Sequence, residues 1–291
     1  MAVAVVTDTT HYLPHDVVDQ LHLHEVSLYV RWGDDLQRES EITDLDAFYD
    51  RLRRSQQLPT TSQPSVGDFL AVYEPLVEAG HEVLSIHLSQ GISGTTDSAR
   101  QAAHQLQERG RGRVEVFDSA TACGGLGMVV MAAAHGASRG DGLDDVLART
   151  KEAREHLRMW FCIDTFEYLQ RGGRVGRAQA WLGGALKVKP ILSVESEITP
   201  IERVRTAGRA FERMVDYART LHDDGRDAWC VQHIQAPDEA RRLADRVSEI
   251  MGSEAMVIAE VGPVIGAHTG PGLIGVGGVP AHLLGRAAAG A

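Results

Sequence analysis

The chain has 291 residues, of which 43% are hydrophobic and 24% are charged, a composition typical of a soluble globular protein. Its formal net charge is −11 and no basic patch of domain size is visible, which argues against a nucleic-acid-binding protein. The length predicts one large or two moderate domains.

The first predicted element is a strand at residues 2–8, and the N-terminus lacks the basic flank of a signal peptide. The most apolar later run, MVVMAAAHGA, is too short to span a bilayer. Cys123, Cys162 and Cys230 match no metal or disulfide spacing, so we expect buried thiols in a reducing compartment. These features predict a cytoplasmic protein with at most transient membrane contact.

The first half of the chain alternates strand-like and helix-like segments. Thr43, with Asp46 three residues later, is expected to start the first helix, and Ser65 with Asp68 repeats this signal. Further strands are predicted at residues 82–89 and 113–119, and helices at 42–55, 65–80, 93–110 and 120–140. This alternation predicts a largely parallel sheet that is covered by helices.

The second half mixes short helices with a pair of strands. Thr165 is expected to cap a short helix that Gly172 and Gly173 end. The apolar segment AQAWLGGAL at residues 178–186 predicts a buried helix. We divide the chain into two domains, residues 1–150 and 151–291, and expect disorder after about residue 285.

Hydroxyl and glycine residues follow three of the predicted strands, where the chain turns into a helix. These junctions lie at residues 7–10, 87–99 and 117–125. In a parallel α/β sheet the carboxyl ends of the strands form the usual ligand crevice, and a helix N-terminus there suits an anion. Two interpretations stay open: Ser93, Ser119 and Thr121 only cap their helices, or the junctions together form an anion site.

His268 lies in a segment rich in glycine and proline, EVGPVIGAHTGPG at residues 260–272. Such backbone-permissive residues predict a shaped loop that presents the imidazole, although an isolated histidine is more often structural. No HExxH pair or Cys/His cluster is present, so we expect no metal site. GLIGVGG near the C-terminus lacks the context of a dinucleotide-binding fingerprint.

The stretch GISGT at residues 91–95 resembles a nucleophile elbow, but that motif requires glycine where Thr95 stands. A serine-dependent hydrolase or acyltransferase would use Ser93 as its nucleophile and a histidine, such as His87 or His268, as its base. The sequence contains no P-loop motif, so we do not expect an autonomous kinase.

Eight short motifs, taken in order, resemble the DegV family of bacterial proteins, and the resemblance covers nearly the whole chain. They are TDTT at 7–10, TSQPS at 61–65, ISGTTDSA at 92–99, FDS at 117–119, TFEYLQRGGRVG at 165–176, LKVKPIL at 186–192, RVRT at 203–206 and GPVIGAHTGPG at 262–272. The order and spacing of these motifs are specific, whereas no single motif is.

The resemblance implies a two-domain α/β fold, with an N-terminal Rossmann-like domain around a parallel sheet and a C-terminal α/β domain. A long-chain fatty acid would be buried between the domains. The protein would not be an enzyme itself: it would present the carboxylate to a separate ATP-dependent kinase, which forms an acyl phosphate. We expect the fatty acid as the ligand, no cofactor, and a monomer by default.

The family pattern also implies which residues bind the ligand. The fatty-acid carboxylate would be bound by Thr61, Ser62, Ser93, Gly94 and His268. Arg174 and Arg205 match basic family positions that would face the kinase or the phosphoryl group. A hydrolase that uses Ser93 and a carrier of a different amphiphilic acid remain the alternatives.

Overall fold

The computed structural model of the protein describes residues 2–181 and 188–286. The apolar helix predicted at 178–186 lies mostly outside these ranges; its described part belongs to a 3₁₀ helix, Gly176–Trp181. The tail predicted to be disordered also lies outside them, from residue 287 onward.

Strands and helices alternate along most of the described chain. The strands are β1 (Val3–Asp8), β2 (His24–Val26), β3 (Tyr29–Trp32), β4 (Asp35–Arg38), β5 (Thr60–Ser62), β6 (Glu82–His87), β7 (Val114–Asp118), β8 (Arg158–Cys162), β9 (Lys189–Glu195), β10 (Glu197–Val204), β11 (Ala228–His233), β12 (Val257–Glu260) and β13 (Ile274–Val279). The α-helices are α1 (His15–Gln20), α2 (Leu45–Arg54), α3 (Val66–Glu78), α4 (Thr95–Glu108), α5 (Gly124–Ser138), α6 (Leu143–His156), α7 (Glu167–Arg171), α8 (Ala207–Asp223), α9 (Pro237–Met251) and α10 (Pro263–Thr269).

The N-terminal sheet is parallel, with strand order β2-β1-β6-β7. Every residue of β1 is buried, because helices cover both faces of the sheet. Val3 and Val5 belong to the core that includes α5, whereas Ala4 and Val6 pack with Phe69 of α3 on the opposite face. The run of small and β-branched residues in β1 therefore fits a strand that is buried on both sides.

The C-terminal sheet is mixed, with strand order β10-β9-β8-β13-β11-β12, and only its β11–β12 pair is parallel. One face packs on α8 and α9, which present an apolar stripe to it. The other face lies towards the N-terminal half, where α5 contacts β1 of the first sheet as well as β11 and β13 of the second. Helix α5 is apolar on nearly all sides because it lies between the two sheets.

A third, small antiparallel sheet has the order β4-β3-β5. Its strand β5 contains Thr61, which pairs with Val30. The hydroxyl-rich segment that precedes α3 is thus partly an edge strand, and Ser65 with Asp68 forms the predicted capping box of α3.

The predicted α/β architecture is confirmed: a parallel-sheet N-terminal region is followed by a mixed-sheet region. The division at residue 150 stays a prediction, and this residue lies within α6. Two local predictions were wrong. Asp44, not Thr43, caps α2, and residues 263–269 form helix α10 rather than a loop. Among the described residues, no helix combines the length and the apolar character needed to cross a membrane.

Candidate functional site

A cavity of about 380 Å³ lies between the two halves of the chain, within the size range of small-molecule sites. We call it the main cavity. Most of its wall is apolar, and one part carries the five residues predicted to bind a carboxylate. These residues are Thr61, Ser62, Ser93, Gly94 and His268, and we call them the head-group cluster. Residues that lie up to 207 positions apart in sequence thus meet at one site.

Thr61 and His268 form the central contact of the head-group cluster. Thr61 Oγ1 lies 2.8 Å from His268 Nε2, so β5 and α10 are joined by a hydrogen bond. The other ring nitrogen of His268, Nδ1, is buried and has no hydrogen-bond partner among the described residues. The imidazole is therefore oriented by a hydroxyl that itself lines the cavity.

Ser93 and Gly94 lie where the chain leaves β6 and enters α4. Gly94 is the N-cap residue of α4, and Ser93 Oγ lies 2.8 Å from Thr95 Oγ1. A Cβ atom on Gly94 would come within 2.1 Å of Gln63 Oε1, so a larger residue would displace the Gln63 side chain. Gln63 is held in place by Ser98, whose Oγ accepts a 3.0 Å hydrogen bond from Gln63 Nε2. Sequence reasoning missed Gln63, although it lies inside the TSQPS motif.

The charge at the head-group cluster comes from arginine and not from histidine. Burial, together with the smaller effect of the nearby Arg174 guanidinium, lowers the pKa of His268 to about 4. Arg174 lines the main cavity, and its Nη1 donates a 2.9 Å hydrogen bond to the carbonyl of Gly172. At neutral pH the imidazole is thus uncharged, and Arg174 is the cation nearest to it on the cavity wall.

This shift makes folding stability depend on pH. An unfolded histidine takes up a proton near pH 6.5, whereas His268 in the folded protein does so only near pH 4. Between these values the unfolded state binds one more proton, so the free energy of unfolding should fall as the pH drops, by up to ~1.4 kcal/mol per pH unit. Guanidinium chloride unfolding of the wild type and of His268→Gln across this range measures the effect. Equal pH slopes for the two proteins would contradict it.

Helix α10, which carries His268, is held by side chains from the first 50 residues. The buried Glu39 carboxylate accepts 2.8 Å hydrogen bonds from the Val264 N–H at the start of α10 and from the Tyr12 hydroxyl. Tyr49 donates a 2.6 Å hydrogen bond to the Val261 carbonyl. Burial raises the pKa of Glu39, although its hydrogen-bond donors oppose the shift. Nothing in the sequence near Glu39 pointed to this role.

An open cleft of about 530 Å³ adjoins the head-group cluster, and we call it the outer cleft. Thr61, Arg174 and His268 line both the main cavity and the outer cleft. Arg171 also lines the cleft and donates a hydrogen bond to the Gln56 carbonyl. Arg205 is exposed beyond β10 and lines neither space, so the structure separates it from Arg174.

The three predicted strand-end junctions differ in whether they line the main cavity. Only the second and third reach the main cavity, through Ser93 and Thr121. In the first junction, the buried Asp8 accepts hydrogen bonds from Thr10, from His87 at the end of β6 and from the Leu88 N–H that follows it. The Ser119 hydroxyl donates to the Thr121 carbonyl rather than lining the cavity. The anion-site interpretation therefore stays a prediction for the second junction, which carries Ser93 and Gly94, together with Thr61 of β5; Thr121 of the third junction lines the main cavity outside the head-group cluster.

Asp8, His87 and Ser85 are linked in the order of a hydrolase relay, but they lie in the core. His87 Nδ1 lies 3.0 Å from Asp8 Oδ2, and His87 Nε2 lies 2.6 Å from Ser85 Oγ. All three residues are fully buried, and Ser85 Oγ also accepts a hydrogen bond from Tyr73. Among the described residues, Ser93 has no hydrogen bond to a histidine, so the geometry gives it no base.

The apolar wall of the main cavity comes largely from the C-terminal sheet. Met159 and Phe161 of β8 line it, whereas the alternate residue Trp160 packs towards α8. Gly275 of β13 pairs with Phe161 and also lines the cavity, so a strand position without a side chain leaves room there. Sequence reasoning missed these residues and treated the glycine-rich segment around Gly275 only as a rejected nucleotide motif.

No metal-binding group is evident in the described ranges, where no three His, Cys, Asp or Glu side chains come together. The three cysteines are free and largely buried. Burial raises the pKa of Cys162 and Cys230 to about 12, so both stay thiols at neutral pH. The absence of a cofactor stays a prediction.

Comparison with known proteins gives matches along almost the whole chain. A family model described as "Uncharacterised protein, DegV family" matches residues 2–281. A DegV domain-containing protein of Clostridium acetobutylicum is 36% identical over 281 residues, which cover 95% of this chain and 97% of the relative.

Two solved structures share the fold and about a third of the sequence. One is described as showing the fatty acid binding of a DegV family protein from Thermus thermophilus; its TM-score is 0.87 at 34% identity, over 96% of this chain and 100% of that one. The other is DegV of Bacillus subtilis, described as a fatty acid binding protein; its TM-score is 0.86 at 34% identity, over 95% of this chain and 98% of that one.

Proposed function

The chain belongs to the DegV family, and we propose that it binds a long-chain fatty acid in the main cavity. The carboxylate lies among the head-group cluster and the tail lies along the apolar wall. The observation that carries this proposal is the arrangement of the cavity, whose hydroxyl and imidazole groups adjoin the outer cleft while most of the wall is apolar. The fatty acid binding described for the relatives of known structure supports the same ligand class.

The tail and the head group contribute differently to this binding. A chain of about 14 methylenes gains roughly 11 kcal/mol of transfer free energy, at about 0.8 kcal/mol per methylene. A hydrogen bond to a charged carboxylate contributes only about 1.5–3 kcal/mol. The tail therefore supplies most of the affinity, less the free energy lost on association, and the head-group cluster supplies orientation.

The carboxylate is then presented to a separate ATP-dependent kinase, which forms an acyl phosphate. Two observations support this part of the proposal. The sequence has no P-loop motif, and the head-group cluster borders the outer cleft, where Arg171 and Arg174 suit a phosphoryl group. Arg205, which is exposed and apart from the cleft, would contact the kinase itself. The protein acts as a monomeric binding subunit without catalysis of its own.

Mass spectrometry of the small molecules extracted from the purified, denatured protein tests the ligand class. We expect one long-chain fatty acid per chain for the wild type and for Ser93→Ala, because the tail supplies the affinity. A different amphiphilic acid would establish the alternative carrier. A protein that is empty and also fails to bind added fatty acids would overturn the proposal.

The same Ser93→Ala preparation distinguishes binding of the fatty acid from presentation of its carboxylate to the kinase. With its lipid retained, it should lose most of its turnover in acyl-phosphate assays with the kinase, because the carboxylate loses an orienting hydroxyl. Ser138→Ala is the matched control, since Ser138 is exposed at the end of α5. Full turnover of Ser93→Ala would contradict its role, and covalent labelling of Ser93 by a serine-reactive probe would favour the hydrolase alternative.

A further inference from the structure

Gln232 is a buried polar residue on the wall of the main cavity. It belongs to β11, it is 3% exposed, and its Oε1 accepts a 2.6 Å hydrogen bond from the Gly124 N–H at the start of α5. Since a backbone N–H can only donate, this contact fixes the oxygen towards α5 and the amide nitrogen away from it. Gln232 Nε2 has no hydrogen-bond partner among the described residues.

Thr121 is a second buried polar residue on the same wall. It is 3% exposed; its N–H donates to Ser119 Oγ and its carbonyl accepts from the Ser89 N–H. Its hydroxyl, in contrast, makes no hydrogen bond within the described part of the chain. The backbone of Thr121 is therefore satisfied, and only its side-chain hydroxyl remains to be paired.

Thr121 and Gln232 pack against the same turn of helix. A Cβ atom on Gly124 would lie 2.9 Å from the Gln232 amide carbon, and one on Gly125 would lie 2.5 Å from Thr121 Oγ1. Two consecutive glycines thus allow both polar side chains to approach the first turn of α5. We call Thr121 and Gln232 the inner polar wall.

The inner polar wall and the head-group cluster border different spaces besides the main cavity. His268 borders the outer cleft, whereas Gln232 borders a small buried void that it shares with Gly124 and Met128. An unbranched hydrocarbon tail in the main cavity would leave Gln232 Nε2 and Thr121 Oγ1 without partners. Leaving buried polar groups unpaired is unfavourable, so native proteins generally pair them.

We propose that the preferred ligand of the main cavity is a long-chain fatty acid with one hydroxyl group on its chain. The hydroxyl oxygen of the ligand accepts a hydrogen bond from Gln232 Nε2–H, and the O–H of the ligand donates a hydrogen bond to Thr121 Oγ1. The inference rests on the proposed fatty acid binding and specifies its substrate class. In a wholly apolar cavity the same hydroxyl would weaken binding by roughly 5- to 150-fold.

The test compares unsubstituted octadecanoic acid with a series of its monohydroxy isomers. Each acid displaces a fluorescent fatty acid from the delipidated full-length protein, which gives its dissociation constant. We expect at least one isomer to bind about tenfold more tightly than the parent acid. The position of the best isomer reports the distance from the head-group cluster to the inner polar wall.

Two variants establish whether the inner polar wall recognises the hydroxyl group of the ligand. Thr121→Val keeps the side-chain shape, and Gln232→Met keeps a similar length; each should lower the ratio of hydroxy-acid to parent affinity by about tenfold. Thr150→Val is the matched control, because Thr150 is buried in α6 with its hydroxyl bonded to the Val146 carbonyl, and its ratio should match the wild type.

The outcomes separate this inference from the function on which it rests. If the parent acid binds at one per chain and no hydroxy isomer binds more tightly, the inference is overturned while the proposed function stands. A preference that survives in both variants would also overturn it. If neither class of acid binds, the proposed function itself fails.

Discussion

Replacing Ala122 with phenylalanine should weaken the binding of a long-chain fatty acid by about 200-fold. Ala122 is 5% exposed, lines the main cavity and immediately precedes the turn that starts α5. A phenylalanine ring at this position takes up space that the acyl tail would otherwise fill. If four methylenes lose their place, the loss is ~3 kcal/mol, which corresponds to this factor. Displacement of a fluorescent fatty acid from the delipidated variant measures it.

The chain-length dependence shows whether Ala122→Phe acts by displacing the tail. For an acid about four methylenes shorter, the variant and the wild type should have similar affinities. The matched control is Ala71→Phe, since Ala71 is exposed on α3 and borders neither space. An equal loss for every chain length would show a general distortion of the site instead.

Replacing Asp8 with alanine should lower the free energy of unfolding by about 3–5 kcal/mol. Asp8 is fully buried and accepts hydrogen bonds from His87 Nδ1 at 3.0 Å, from the Leu88 N–H at 2.9 Å and from Thr10. Burial raises the pKa of this carboxyl, but the hydrogen bonds and the charge of His87 lower it more, so the carboxylate form is favoured. Alanine leaves these donors buried without an acceptor.

Urea unfolding monitored by circular dichroism gives the size of this effect. Asp34→Ala, which alters an exposed carboxylate in the turn between β3 and β4, should change stability by less than about 0.5 kcal/mol. Asp8→Asn should fall between the two, because it keeps one acceptor oxygen. A loss below about 1 kcal/mol for Asp8→Ala would show that water or rearranged side chains satisfy the donors.

The parallel sheet was predictable because β1 and β6 are short apolar runs and helical segments alternate with the strands, as α4 follows β6. Strand β13 was not predictable, because Gly275, Gly277 and Gly278 are typical of a loop. Its strand conformation depends on pairing with β8 and β11. α10 was missed for a related reason: Glu39 and Tyr49, distant in sequence, stabilise its start.

The residues of the head-group cluster could be named from the sequence because they lie in motifs that resemble those of the DegV family; their hydroxyl and glycine content alone left simple helix capping open. The apolar wall of the main cavity could not be identified from the sequence. Met159 and Phe161 alternate with Trp160 in the way any core strand does, and the sequence does not show which face borders empty space. The sequence also does not indicate that Gln232 lines the cavity, since the orientation of its side chain depends on the contact of its amide oxygen with α5.

The hydrogen bonds around α10 also bear on when the main cavity is completed during synthesis of the chain. Thr61 pairs with a residue 207 positions later, and Glu39 with one 225 positions later. A nascent chain can assemble the parallel sheet while it is still on the ribosome, but it has no complete head-group cluster until residue 268 has emerged. Under the proposed function, loading with fatty acid would therefore be a late event in biogenesis, because Gly275 of β13, which lines the same cavity, follows residue 268 in the chain.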